Sequence, residues 1–194
     1  MPMNIPNPFE LTAERLSLRS PRVRDAPQLR AAIAESLDEL RPWMAWADRV
    51  PSLVEAETNC TLAEVAFAEG SDYRLHLFLK GSDTLIGGSG FHNVDWSVPK
   101  VEIGYWVRTP FGGRGYITEA VAAITRHALT VLKANRVEIR MSSRNLRSRR
   151  VAERLGFSFE GILGNDARHV DGTLRNTCVF AQYAGVLAES DEVR

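Results

Sequence analysis

The sequence predicts an α/β (α+β) fold built on one mixed, mostly antiparallel twisted sheet of six to seven strands with helices on both faces. Three observations predict it. Segments with apolar residues at period two alternate with segments at helical spacing. Strand pairs dominate the first half, whereas the second half runs strand, helix, strand, helix, which requires a parallel crossover. A chain of 194 residues, 44% hydrophobic and 25% charged, has room for one buried core.

In "ERLSLRSP", Leu16 and Leu18 alternate with polar neighbours and give the first strand. "RDAPQLRAAIAES" follows as a helix, with Asp25 and Gln28 at capping-box spacing and Ala26, Leu29 and Ile33 inward. "LDELRPWMAWADRVP" continues helically to Pro42, and a second capping box, Ser52 with Glu55, opens a helix to about Glu69 with Leu53, Cys60 and Phe67 inward. Tyr73 to Lys80 and Thr84 to Val94 form a hairpin around "GSD". The strand "KVEIGYWV" leads into "TPFGGRGYITEA", after which Ile117, Ala120, Val121, Ile124, Ala128 and Val131 mark one helix face. "VEIRM" is a strand, "NLRSRRVAERLG" a short helix closed by Gly156, and "FSFEGIL" and "TCVFAQY" the last two strands. No linker or repeat divides the chain, so 1–194 reads as a single domain with flexible tails at 1–10 and 186–194.

Charge and composition exclude several classes. Twenty-four basic residues balance 24 acidic ones, which argues against bulk nucleic-acid binding. No apolar run could span a bilayer, and "MPMNIPNPFE" lacks the parts of a signal peptide, so the expected location is the cytoplasm. Cys60 and Cys178 belong to no Cys/His cluster and read as buried, inert thiols, with no metal site.

The chemistry concentrates at Gly112, Gly113 and Gly115, just ahead of a helix. A helix N-terminus carries unpaired N–H groups and partial positive charge, and glycines there let a phosphate approach. The GxxxxGK[ST] and GxGxxG patterns are both absent. Taken alone, the loop is either a pyrophosphate cradle or a tight strand-to-helix turn that uses glycine for positive φ.

"EIGYWVRTPFGGRGYITEA" together with "NLRSRRVAERLGFSFEG" resembles the GNAT superfamily of acetyl-CoA-dependent N-acetyltransferases, in its RimJ/RimL-like branch, which acetylates protein N-termini. The resemblance covers nearly the whole chain and implies a GNAT fold. It implies that the amides of Gly113, Arg114, Gly115, Tyr116, Ile117 and Thr118 bind the acetyl-CoA pyrophosphate. It also implies that the backbone of Ile103, Tyr105, Trp106 and Val107 pairs with the pantetheine arm. Asn145 and Ser148 match the family's "NxxS" beside the cofactor sulfur. Gly112 stands where the family commonly has glutamine or arginine, and Ala152 where many members have a tyrosine acid.

Acetyl transfer needs a deprotonated amine, donors for the developing oxyanion and a proton for the leaving thiolate. Glu102 is a candidate base or substrate anchor, or an ordinary salt-bridging carboxylate. Ser148, on the apolar face with Val151, Ala152 and Leu155, is the candidate thiolate proton donor, or else bonds its own helix backbone. Asp166 and His169, before the last strand, are candidate acceptor-site residues. Trp43 and Trp46 face one way on a helix, as core or as an aromatic wall of the acceptor cleft. His76, His92 and His127 read as structural or solvated, with catalytic work as the lesser alternative for each. The arginines from 144 to 154 form a solvated face, a 3′-phosphate site or a docking face for an acidic partner. The acceptor is a protein or peptide N-terminus or a small amine, a homodimer is compatible with the pattern, and a non-catalytic acyl-CoA-binding module is the alternative outside enzymes.

Overall fold

The computed structural model describes residues 5 and 9–185. Among the described residues eight strands form one sheet in the order β1-β2-β3-β4-β5-β6-β8-β7. They are β1 (Glu10–Thr12), β2 (Leu16–Arg19), β3 (Tyr73–Leu79), β4 (Leu85–Asp95), β5 (Lys100–Val107), β6 (Arg136–Ser142), β7 (Ser158–Arg168) and β8 (Leu174–Tyr183). Every pairing is antiparallel except β5 with β6, which α4 (Tyr116–Thr130) joins by a crossover. The remaining helices are α1 (Ala26–Ala34), α2 (Leu37–Leu40), α3 (Leu53–Glu69) and α5 (Leu146–Arg154).

The strand beyond the expected six to seven is β1, whose three residues pair with Ser17, Leu18 and Arg19. Three residues are too few to carry a period-two signal. Of the tail expected over 1–10, residues 5, 9 and 10 are described. Glu10 is in the sheet, Ile5 and Phe9 are buried, and the Phe9 ring meets His127 edge-on at 5.1 Å. The expected tail at 186–194 lies outside the described residues.

Helices cover both faces. On one, Ala26, Leu29, Ala32 and Ile33 of α1 and Ala56 and Cys60 of α3 pack on Phe78 and Leu85. On the other, Ala120, Val121, Ile124 and Ala128 of α4 and Val151 and Ala152 of α5 pack on Leu75, Leu77, Ile86, Val101, Ile103 and Ile139. Each fully buried Leu, Ile or Phe contributes roughly 1.5–3 kcal/mol relative to exposure, so this second cluster anchors the crossover. Cys60 and Cys178 are free and buried, and burial pushes the Cys60 thiol up to about 11.

Four local readings are corrected. Asp25 does not cap α1 with its side chain; its carboxylate accepts from Arg19 (2.6 and 2.8 Å) and the Arg22 amide and faces His76 Nδ1 at 3.0 Å. Leu53, in the first turn of α3, is exposed, although the Ser52–Glu55 capping box forms as expected. Val131 lies past the end of α4 and points outward, while Leu129 and Leu132 are buried. Trp43 and Trp46 share no helix: α2 stops at Leu40 and both tryptophans sit in the turns that follow, because Pro42 cannot continue the helical ladder.

Candidate active site

The site begins where two parallel strands part. β5 and β6 are in register at Lys100–Arg136, Val101–Val137 and Glu102–Glu138 and no further. β5 continues to Val107, pairing only with β4 on its other side. The backbone of Ile103 to Val107 therefore offers an open strand edge, into which an extended arm with amide groups can insert as another strand.

Directly after β5, Thr109–Phe111 make one 3-10 turn and the chain reaches α4 through Gly112 to Gly115. Gly113 and Gly115 have φ of 73° and 80°, the left-handed region that costs other L-residues about 1–2 kcal/mol. Gly115 is the N-cap of α4 and supplies no side-chain acceptor. The first amide of this helix with a backbone partner is Glu119, bonded to the Gly115 carbonyl. The amides of Gly113 to Thr118 have no protein acceptor among the described residues, and a diphosphate fits a group of free N–H donors with a helix dipole behind it.

One residue beside this loop was not foreseen. Arg15, in the β1–β2 turn, donates through Nε to Glu119 at 2.6 Å and through Nη1 to the Arg114 carbonyl at 3.2 Å. Its guanidinium also lies 4.5 Å from the centre of the Tyr116 ring. It ties the cradle to the sheet and adds a cation beside Arg114. No local pattern marks it, because its partner stands 104 positions away.

Tyr105 reaches from β5 across the opening to α5. Its hydroxyl lies 3.1 Å from the Ser148 carbonyl and 2.9 Å from Ser148 Oγ. Asn145 caps α5, its Oδ1 accepting from the Ser148 amide at 3.1 Å. Burial pushes the Tyr105 phenol up to about 12, against the opposing pull of the Ser148 hydrogen bond. The phenol is therefore protonated at neutral pH, and the two hydroxyls form a donor pair beside the open edge. Ala152, at the position of the missing tyrosine, is fully buried one turn further along α5.

On the opposite face of the sheet lies a cleft of about 470 Å³, lined among others by Leu29, Trp46, Arg49, Glu55, Asn59, Arg74, His76, His92, Gly104, Tyr105 and Trp106. Two glycines shape its floor. A Cβ on Gly88 would lie 2.5 Å from Trp106 Nε1, and one on Gly104 would lie 2.9 Å from His92 Cδ2 and Nε2. Without them neither ring could lie against the sheet. Trp46 meets Trp106 edge-on at 5.7 Å, and its rim carries the Arg49–Glu55 pair and the Arg74–Asn59 hydrogen bond.

The structure thus gathers Ile103 to Val107, Gly112 to Thr118, Asn145 and Ser148 around one opening, and puts Trp46 in the cleft behind it. Trp43 does not line that cleft. Glu102 points to the cleft side of β5, but its Oε2 accepts from Asn93 at 2.8 Å and it is not part of the lining. Asp166 lies in β7, paired with Arg140 at 3.0 Å, and His169 closes the β7–β8 hairpin. Neither lines the cleft. Residues that sequence reasoning missed there are His76, His92 and Arg74, which appear in the sequence only as the polar half of strand alternation.

An open strand edge beside a glycine-led helix is the arrangement that the GNAT resemblance implies, and the family comparison agrees. The GNAT acetyltransferase domain matches residues 15–158, and the chain belongs to this family. It is an acetyl-CoA-dependent N-acetyltransferase. Among its relatives, YdaF of Bacillus subtilis (strain 168), whose name gives ribosomal N-acetylation as an inferred activity, is 32% identical over 161 residues, covering 82% of this chain and 86% of YdaF. The [ribosomal protein uS5]-alanine N-acetyltransferase of Escherichia coli (strain K12) is 29% identical over 182 residues, 92% of each chain. Among solved structures, Mycobacterium smegmatis RimJ in complex with CoA-disulfide superposes with a TM-score of 0.83 at 26% identity, covering 93% of this chain and 90% of RimJ.

Among the described residues no helix is long and apolar enough to cross a membrane.

Proposed function

We propose that this chain acetylates the N-terminal α-amino group of a ribosomal-protein-like substrate by direct attack within a ternary complex. The observation that carries this reading is the position of the cleft. It lies against Gly104, Tyr105 and Trp106, on the residues where β5 loses its β6 partner, so an amine entering between α1 and α3 reaches the open strand edge. An aromatic pair with a polar rim suits the first residues of a peptide, with main-chain groups to bond and small side chains to pack. Relatives named for acetylation of ribosomal-protein alanine and serine point the same way.

Acetyl-CoA supplies an activated acetyl group as a thioester. The free amides of Gly113 to Thr118 hold its diphosphate, with Arg114 adding a charge-assisted contact. The edge of Ile103 to Val107 aligns the arm, and an amide there polarises the carbonyl. Asn145 fixes the start of α5 so that Ser148 stands against Tyr105. That hydroxyl pair returns a proton to the leaving sulfur, which does the work of the tyrosine replaced by Ala152. Glu102 accepts from Asn93 and stays outside the cleft lining, so it takes no part in this scheme. Thiolate is a fair leaving group, so the expected cost of removing either hydroxyl is moderate. Ser148→Ala and Tyr105→Phe each lower kcat by about 10- to 100-fold with CoA affinity unchanged within about threefold. Unchanged kcat in both variants would remove the pair from the mechanism.

The test is thiol release from acetyl-CoA across peptides with free alanine or serine N-termini, the same peptides with blocked N-termini, and small amines. The expected outcome is release only with the free N-termini. Faster release with a polyamine, an amino acid or an aminated antibiotic would favour a small-amine acceptor, a reading supported by the cleft's volume of about 470 Å³, within the ordinary range for small ligands.

A further inference from the structure

His92 is the imidazole of the cleft that stands on the strand next to β5. It stands on β4 directly across from Glu102, the last residue of β5 in register with β6. Its ring leans past that register position, and Cδ2 and Nε2 approach the Cα side of Gly104 so closely that any larger residue there would collide. Gly104 is the second residue of the unpaired stretch. The ring lines the cleft together with Gly104, Tyr105 and Trp106, while the Tyr105 side chain crosses to the opposite face to meet Ser148. An amine in the cleft and the hydroxyl pair therefore flank one segment of strand edge from its two sides.

The ring also stands near a carboxylate and is connected to solvent. Nδ1 faces Asp72 Oδ1 at 3.9 Å, and the side chain remains 42% exposed. Asp72 is itself held by Arg74 Nε at 2.7 Å. Nε2 lies on the Gly104 side of the ring, where a ligand in the cleft meets it. His76, the other histidine of the cleft, is not free for this work. Its side chain is 8% exposed and its Nδ1 is engaged by Asp25, and β3 lies a full strand further from the β5 edge.

We propose that His92 is a catalytic residue, the general base that takes a proton from the acceptor ammonium. The proposal rests on amine acetylation and not on which amine is used. The balance is as follows: an ammonium R–NH3+ and the thioester become R–NH–CO–CH3, the free thiol and one proton. The acceptor nitrogen gives its first proton to His92 Nε2, which frees the lone pair. Its C–N bond forms as the thioester C–S bond breaks, and the sulfur leaves with a proton from the Tyr105–Ser148 pair. The second nitrogen proton restores that pair, and the proton on His92 passes to water at the exposed edge of the ring. The charged or titratable groups facing His92 are Asp72 and Arg74 from the start of β3, His76 further along β3, Glu102 on β5, and the Arg49–Glu55 pair across the cleft.

The experiment compares the full chain with His92→Gln and His92→Ala, using acetyl-CoA and the best acceptor found among the free-N-terminus peptides and small amines. CoA affinity should stay within threefold of the unsubstituted chain, which also reports that the variants fold. Saturated turnover near pH 7 should fall by about 100-fold. The acidic limb of the kcat profile should be replaced by a rate that keeps rising with pH as free amine accumulates, and added imidazole should restore part of the rate of His92→Ala. Turnover within threefold in His92→Gln with the same acidic limb would overturn the proposal. A rise in acceptor KM alone would overturn it too, since that is the signature of a binding wall. If small amines are acetylated and peptides are not, the acceptor reading fails while the His92 comparison proceeds with those amines.

Discussion

Gly115→Glu lowers the affinity for coenzyme A by more than about 1000-fold, roughly 4 kcal/mol, while the chain stays folded. The cause is competition at the donors. Gly115 is the N-cap of α4, and a carboxylate grown from that position is drawn to the same amides and the same dipole end as the diphosphate. The mutation therefore fills the cradle with an anion belonging to the protein and repels the incoming one. Backbone strain is a separate and smaller contribution. At φ of 80° any L side chain costs about 1–2 kcal/mol, yet a Cβ here meets nothing nearer than Arg15 Nη2 at 3.5 Å. Gly115→Ala carries the strain without the charge, and its expected loss of affinity is below about tenfold. Calorimetric titration of both variants, with a thermal melt of each, separates the two effects. Equal losses in the two would make the loop a matter of conformation only.

The second large effect is on stability. Asp25→Ala destabilises the fold by about 3–5 kcal/mol, because it leaves the buried Arg19 guanidinium without its counter-charge. Arg19 and Asp25 side chains are only 10% and 3% exposed, and the same substitution deprives the Arg22 amide and His76 of their acceptor. Burial alone would raise the Asp25 carboxyl, but hydrogen bonds from His76, Arg19 and the Arg22 amide together hold it well below the usual carboxylate range. For His76 burial is the larger influence and pushes the imidazole down, more than the bond to Asp25 pulls it up. The consistent assignment is an ionised Asp25 accepting from a neutral His76.

Both shifts make the fold acid-sensitive. A carboxylate depressed in the folded state contributes stability that is present above its unfolded value, about 3.9, and lost as pH falls through its folded value. A histidine depressed in the folded state stays neutral while the unfolded chain takes up a proton below about 6.5, so acidification through that range favours unfolding. Stability should thus decline from near pH 6.5 downward, His76 acting first and Asp25 at lower pH. Urea midpoints at pH 7 and pH 5 check the sign, and a higher midpoint at pH 5 would contradict it.

Local signals made most of the fold legible, together with the loop and helix that frame the candidate site. The strand alternation, the Ser52–Glu55 capping box and the glycines ahead of α4 depend on residues within a few positions of one another, and each appears where its pattern placed it. Ser148 on the apolar face of α5 belongs to the same group. What was misread depends on distant partners. Asp25 has capping-box spacing to Gln28, yet a buried guanidinium and an imidazole 51 positions away outcompete one backbone N–H for its carboxylate. Trp43 and Trp46 have helical spacing, but Pro42 ends the helix and only Trp46 finds an aromatic partner across the cleft. Arg15 and His92 had no signal, since an exposed arginine in a turn and a histidine in a polar strand position look like solvated surface until the glycine loop and Gly104 are set beside them. The cleft is built from α1, α3, the turns after α2 and the faces of three strands, so no single stretch of sequence announces it.

The most direct check of the cradle is a crystal structure of the chain grown with coenzyme A. The account predicts diphosphate oxygens within about 3.2 Å of amide nitrogens in the stretch Gly113 to Thr118, and the arm laid along Ile103 to Val107. Coenzyme A bound at another surface, with those amides facing only water, would contradict it.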